Sequence, residues 1–371
     1  MKQVTYLRKA AAGIAALASI LLFQNRLSAC TGISFTARDG AHILARSIEW
    51  ASERLDSRYV VVPRGHSITS MTPDGNGGMR FVTRYGYVGV RVMSDELVVE
   101  GMNEKGLNAG LFFFPGYGSY QDFEPELRSS TLCDFQVVSW ALASFSTVDE
   151  VVAALPSVRV TGLDKNVGAV HWRFGDRTGR QIVVEITGGK LNIYDNPVGV
   201  LTNAPGFEWH LTNLGNYLNL VQGNAGGEAW KSLSGAFSVK ALSGGSGMLG
   251  LPGDPTSPSR FVRVAVYRAT APQPSDGFEA VLQSFKILEA MVIPVGVVID
   301  VNANPEKSTD MLTSTQFTTA SDIDGMKFYY RTMDNSRIRC INLEDIDFGK
   351  VKFRSCPLDE KKEQVEVLKI R

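Results

Sequence analysis

A chain of 371 residues, 44% of them hydrophobic, can bury a large core, and its length admits one to three domains. Its 38 basic and 38 acidic residues cancel, and no basic block stands out, which argues against a nucleic-acid partner. Four cysteines, Cys30, Cys133, Cys340 and Cys356, form no CxxC pair, and His42, His66, His171 and His210 are scattered, so the close ligand spacing of a zinc site is missing.

Lys2, Arg8 and Lys9 precede an uncharged apolar run, 10–23, and a polar stretch of small residues, 24–29. This is the three-part plan of a secretory signal, and the run is shorter than the ~20 residues that span a bilayer, so no stable membrane span is expected. A cut after Ala29 makes Cys30 the first residue of a single domain, 30–371, delivered to the periplasm of a Gram-negative-like cell. Leu27-Ser28-Ala29-Cys30 also resembles a lipoprotein box with Cys30 as the lipid carrier, although Asn25 and Arg26 separate it from the apolar run that such a box normally ends. In an oxidising compartment Cys340 and Cys356 either pair or remain free; the spacing leaves both open.

The mature part begins as a hairpin. Residues 31–37 alternate through Ile33 and Phe35, Asp39-Gly40 marks the turn, and 42–50 returns. Cys30 then lies at the open end of the first strand, with Arg46 and Glu49 near it on the second. Further strands are expected at 59–63, 79–85, 97–102 and 107–114, and helices at 132–144 and 148–155, the second capped by Ser146 or Thr147. Strands follow at 169–174, 181–186 and 190–195, then a helix at 210–220 and a Gly- and Ser-rich loop at 223–253. Helical patterns at 261–271 and 276–292 lead to strands at 313–319, 327–332 and 337–342, and the charged segment past Lys350 reads as peripheral. Separate runs of strands and helices indicate an α+β protein.

Once it is first in the chain, Cys30 owns a thiol and a free α-amine. That amine has a reference pKa of roughly 7.7–8.0, so a useful fraction is neutral base at neutral pH. It can take the thiol proton, and one residue then supplies nucleophile and base without a histidine. Cys133 reads as core, and Asn103 and Gly106 as turn formers.

Four segments carry a resemblance. Cys30-Thr31-Gly32-Ile33-Ser34-Phe35 with Arg46-Ser47-Ile48-Glu49-Trp50 resembles the start of the choloylglycine hydrolases, which include bile salt hydrolases and penicillin V acylases. Gly101-Met102-Asn103-Glu104-Lys105-Gly106-Leu107, Gly199-Val200-Leu201-Thr202-Asn203-Ala204-Pro205, and Leu251-Pro252-Gly253-Asp254 running on to Ser259-Arg260-Phe261 follow in family order. The resemblance implies a four-layer αββα sandwich of the N-terminal nucleophile type and, as in many relatives, a homotetramer. It implies Cys30 as nucleophile and Arg46 as the cation that favours its thiolate. It further implies Glu49 as the acid that orients the amine, Asn203 as oxyanion donor and Arg260 as a member of the polar cluster. The family usually has Asp where Glu49 stands. The second oxyanion donor is expected at Phe112, where many relatives carry Asn or Tyr and where only the backbone N–H can donate. Trp50, Phe113 and Phe114 are expected to line the substrate pocket.

The reaction these parts imply is hydrolysis of a linear amide through an acyl-enzyme, with no metal or organic cofactor. The family splits among conjugated bile salts, penicillin V and acyl-homoserine lactones, all joining an apolar acyl group to a small polar amine. The stretch from Gly110 to Tyr117 leans toward bile salts by analogy. A lipidated Cys30 would instead leave a non-catalytic binding protein.

Overall fold

The computed structural model describes residues 29–50, 55–163, 168–225, 244–298, 313–360 and 368. The signal segment 1–28, and 226–243 of the expected Gly- and Ser-rich loop, lie outside the described residues.

β1 (Ala29–Thr36) and β2 (His42–Trp50) form the expected hairpin. Gly40 in its turn takes φ 94°, a left-handed value that glycine adopts without strain. β3 (Arg58–Val62), β4 (Ser67–Thr69), β5 (Arg80–Val82), β6 (Tyr87–Arg91), β7 (Val98–Asn103), β8 (Asn108–Phe113) and β9 (Thr131–Cys133) precede the helices α1 (Val137–Ser144) and α2 (Val148–Ala154). β10 (Arg159–Thr161), β11 (Val170–Gly175), β12 (Gln181–Thr187), β13 (Lys190–Asp195) and β14 (Val200–Leu201) lead to α3 (Phe207–Asn213), α4 (Ser257–Thr270) and α5 (Gly277–Glu289). β15 (Ser314–Asp322), β16 (Lys327–Thr332), β17 (Arg339–Asn342) and β18 (Arg354–Pro357) follow.

Two large antiparallel sheets result, one ordered β14-β1-β2-β15-β16-β17 and the other β13-β12-β11-β8-β7-β6-β3-β18. α4 and α5 pack on the first sheet, and α1 packs on β7 and β8 of the second. The layers are therefore αββα, and a single apolar cluster runs through both sheets. β1 and β2 are covered on both faces, so they are buried almost end to end and the alternation visible at Ile33 and Phe35 is only part of their pattern.

Several boundaries differ from the sequence expectation. The helix read from Leu132 starts at Val137, because Thr131–Cys133 pairs in parallel with β10 and a 3-10 turn intervenes. The helix read from Phe261 starts at Ser257, with Pro258 in its first turn, where a missing N–H costs nothing. That earlier start places Arg260 in the first turn. Thr147, not Ser146, caps α2, its Oγ1 accepting the Glu150 N–H at 3.2 Å. Asp276 caps α5 by accepting the Glu279 N–H at 2.9 Å. The strand expected across 79–85 shrinks to β5, paired only with β4. β6 and β18 went unread, and β18, within the charged stretch, is the outer strand beside β3. Cys340 and Cys356 are free thiols on strands of different sheets, and Cys133 is buried in the core.

Gly32 faces the second sheet at a close approach of the two layers. A Cβ there would lie 2.8 Å from Arg173 Nη1 and 2.9 Å from Phe112 Cζ. Gly32→Ala is therefore expected to destabilise the fold by about 1–3 kcal/mol, read as a lower urea midpoint with an unchanged m-value.

Candidate active site

The strand register assembles the site. Gly32 of β1 pairs with Leu201 of β14, so continuing the antiparallel ladder by two residues brings Cys30 opposite Asn203. On its other side Cys30 pairs with Ile48, and Ala29 with Glu49. Residues of β1, of β2 and of the segment after β14 thus meet at the end of one strand.

Asn203 is held at every polar atom. Its Oδ1 accepts the Cys30 N–H at 2.9 Å and Arg260 Nη2 at 2.7 Å. Its Nδ2 donates to Phe113 O at 2.7 Å, which leaves one amide hydrogen over. Its main-chain N–H donates to Ser257 Oγ at 2.9 Å, and its main-chain O accepts His210 Nε2 at 2.9 Å. Arg260 also donates from Nη1 to Cys30 O and Thr31 Oγ1, each at 2.6 Å. The loop before α4 is braced by Asp254, whose Oδ2 accepts Ser259 Oγ at 2.6 Å.

Arg46 reaches from β2 into the second sheet and donates from Nη1 to Leu111 O at 2.6 Å and to Val99 O at 3.2 Å. Its guanidinium lies 4.3 Å from the centre of the Phe112 ring, with that of Arg173 at 5.5 Å from the same ring. Glu100 sits 3.8 Å from each of these arginines and accepts Asn108 Nδ2 at 2.8 Å. Arg46, Arg173, Arg260, Glu49 and Glu100 are all fully buried, three cations against two carboxylates. The surplus positive charge favours an anion at the neighbouring sulfur.

Phe112 does not provide the backbone donor expected of it. Phe114 N–H donates to Ala169 O at 2.7 Å, and antiparallel alternation turns the Phe112 amide to the same edge, toward β11. Its ring serves as a spacer between two arginines. The Phe113 amide faces the Cys30 thiol instead and lowers its pKa. Burial nevertheless dominates and pushes the thiol upward, Arg46 opposing it, Glu49 adding to it and Arg260 opposing it. Burial likewise raises the Glu49 carboxyl, against the pull of Arg260, the Ser47 and Thr315 hydroxyls and Arg46.

The three aromatic residues assigned to a pocket separate. Trp50 lies two residues beyond Ile48 on the strand face that carries the thiol. Phe113 is half-buried, its ring beside Gly168. Phe114 is no pocket residue: it is fully buried and stacked on His171 at 4.3 Å. Asn103 is structural, as read, its Nδ2 donating to Leu142 O and Phe145 O and its Oδ1 accepting the Lys105 and Leu107 amides.

Sequence reasoning missed the groups behind Asn203. His171 Nε2 donates to Thr202 O at 3.1 Å, while its Nδ1 meets Glu185 Oε1 at 3.0 Å. His210, stacked on Phe261 at 4.5 Å, holds the next carbonyl. Isolated histidines with partners far along the chain leave no spacing signal. Burial pushes the His210 imidazole down to about 4, so the folded chain keeps it neutral where the unfolded chain, near 6.5, takes up a proton. Its contribution is full above about pH 7 and is lost as pH falls toward 4, by roughly 3 kcal/mol at most. Urea midpoints at pH 7 and pH 5 should differ less in His210→Gln than in the parent chain.

With this geometry in view, residues 30–359 match the linear amide C–N hydrolases of the choloylglycine hydrolase family. The chain belongs to that family. A bile salt hydrolase/transferase of Clostridium perfringens is 32% identical over 332 residues, 87% of this chain and 95% of that protein. One from Bifidobacterium longum is 32% identical over 329 residues, 88% and 99% of the two chains. The crystal structure of a mutant conjugated bile acid hydrolase from Clostridium perfringens superposes with a TM-score of 0.76 at 28% identity, covering 92% of this chain and all of that one. A penicillin V acylase from Agrobacterium tumefaciens shares the fold, with a TM-score of 0.69 at 21% identity over 88% of this chain and 90% of that one. This choloylglycine hydrolase family member is accordingly a hydrolase of linear amides on an αββα sandwich of the N-terminal nucleophile type.

Proposed function

We propose that the protein is an exported bile salt hydrolase that cleaves glycine- or taurine-conjugated bile salts. The observation that carries the chemistry is the Phe113 N–H facing the Cys30 thiol while Asn203 accepts the Cys30 N–H at Oδ1 and holds Phe113 O through Nδ2. The bile-salt assignment is supported by relatives of that name matching nearly end to end.

In the full-length chain the Cys30 nitrogen is a peptide N–H; loss of residues 1–29 turns it into an amine. Glu49, opposite the preceding Ala29 position on β2, and Asn203 Oδ1 orient that amine. The amine takes the thiol proton, and the sulfur adds to the amide carbonyl. The oxygen of the tetrahedral adduct gathers its charge between the Phe113 and Asn203 donors. Such donors act where charge develops, which is why they accelerate the step. The amine returns the proton to the leaving nitrogen, the C–N bond breaks, and glycine or taurine departs. Water, deprotonated by the same amine, then releases the bile acid from the thioester. Arg46 supports the thiolate throughout. Trp50 and the half-buried Phe113 offer apolar surface to the acyl group.

The test is the intact mass of the exported protein together with a substrate panel. A chain starting at Cys30 with a free amine, turning over glycocholate faster than phenoxyacetyl amides, is the expected result. The reverse preference makes the enzyme a penicillin V acylase type, and a lipid mass on Cys30 removes the hydrolase reading altogether.

A further inference from the structure

Glu49 is one methylene longer than the Asp of the resembled family, and the site has to place its carboxylate. Directly opposite, β15 breaks register: Thr315 pairs with Glu49, but Phe317 rather than Gln316 pairs with Ile48. A bulge of this kind admits one extra residue and re-aims the side chains around it. Thr315 Oγ1 donates to Glu49 Oε1 at 3.0 Å. The same oxygen accepts the Ile293 N–H at 3.0 Å, and the Thr315 N–H returns a bond to Ile293 O at 3.2 Å. With an amide filling its acceptor side, the hydroxyl has its proton directed to the carboxylate.

We propose that Thr315 is a positioning residue: fixed by the β15 bulge and by Ile293, its hydroxyl sets the direction in which the longer Glu49 side chain presents its carboxylate beside Ala29 and Cys30. Arg260 attracts the same carboxylate and already binds Cys30 O, Thr31 Oγ1 and Asn203 Oδ1. Without the Thr315 hydroxyl, the pull of Arg260 on the Glu49 carboxylate is less opposed and draws it off the direction set by β15. The inference rests on reading Glu49 as the group that orients the Cys30 amine.

The experiment compares Thr315→Val, Thr315→Ser, Glu49→Gln and the double variant Thr315→Val/Glu49→Gln in the mature enzyme. Glycocholate turnover and the rate of Cys30 alkylation by iodoacetamide are measured for each, with thermal melting as the check on folding. Thr315→Val is expected to lower kcat by on the order of 10²-fold, as for a misplaced reacting group. KM should stay within about twofold, since the substrate itself is not contacted. Thr315→Ser should restore turnover, and in the Glu49→Gln background Thr315→Val should do little more. Equal losses from Thr315→Val in both backgrounds, or a Thr315→Ser as damaged as Thr315→Val, overturn the proposal. A silent Glu49→Gln with a damaging Thr315→Val overturns it too. If wild type hydrolyses no amide, the functional reading fails by itself, and the alkylation rates still show whether Thr315 acts through Glu49. Thr315→Ala replaces the valine variant if that does not fold.

Discussion

Replacing Cys30 by alanine is expected to lower kcat for amide hydrolysis by on the order of 10⁶-fold, the loss typical of an enzyme deprived of its nucleophile. None of the other three cysteines is placed to take over the attack. Cys133 is the other buried thiol, but it lies on β9, donates to Asp134 Oδ1 at 3.4 Å and is pushed well above its ordinary pKa, chiefly by burial. The substitution removes one sulfur from a residue that is 3% exposed, so its packing cost is about 1 kcal/mol and the fold should survive. The main-chain bonds from Cys30 to Asn203 and Arg260 do not involve the sulfur. Single-turnover assays on glycocholate, with melting curves of both proteins, check this. A Cys30→Ala enzyme retaining a hundredth of the activity would refute the nucleophile assignment.

Asn203→Ala is expected to have the second largest effect. Loss of one oxyanion donor lowers kcat by roughly 10²–10³-fold. Here the side chain also holds the nucleophile's own nitrogen, Arg260 and the Phe113 carbonyl. Each buried partner left unsatisfied costs about 1–3 kcal/mol, so the melting temperature should fall along with kcat. Asn203→Asp separates the two contributions. It keeps an acceptor for Cys30 and Arg260 but loses the donor and sets a negative charge beside the oxyanion. Its stability should lie closer to the parent while its kcat is at least as poor. Turnover within tenfold of wild type in Asn203→Ala would place the oxyanion elsewhere.

The hairpin that presents Cys30, Arg46 and Glu49 was legible because an Asp-Gly turn and two flanking strands are local signals, and the structure keeps the second strand at His42–Trp50. The position of Asn203 came only from the family resemblance. Its physical cause is the pairing of a two-residue strand with β1, which sets Asn203 against Cys30 across a separation of 173 residues. Phe112 and Phe113 show a sharper limit. Side chains and amides alternate along a strand, so an error of one residue exchanges the face of every group. Three consecutive phenylalanines give no polarity by which to choose, and only the partner strand β11 decides. Glu100, Arg173, Thr315 and the two histidines escaped for a related reason. Each is an isolated polar residue in an otherwise apolar strand or helix, and the fold rather than any sequence motif brings its partner to it.

The β1 register also bears on how the enzyme can be produced for study. Ala29 already occupies a ladder position against Glu49, so any residue joined to Cys30 continues β1 past the nucleophile. An affinity tag or a retained initiator methionine at that end would cap the amine that serves as base in the proposed mechanism. β18 is the outer strand of the eight-stranded sheet and β1 belongs to the other sheet, so a purification handle belongs at the carboxyl end. Expression schemes should therefore be designed so that a host peptidase, or a cleavable leader with no scar, leaves cysteine as the first residue.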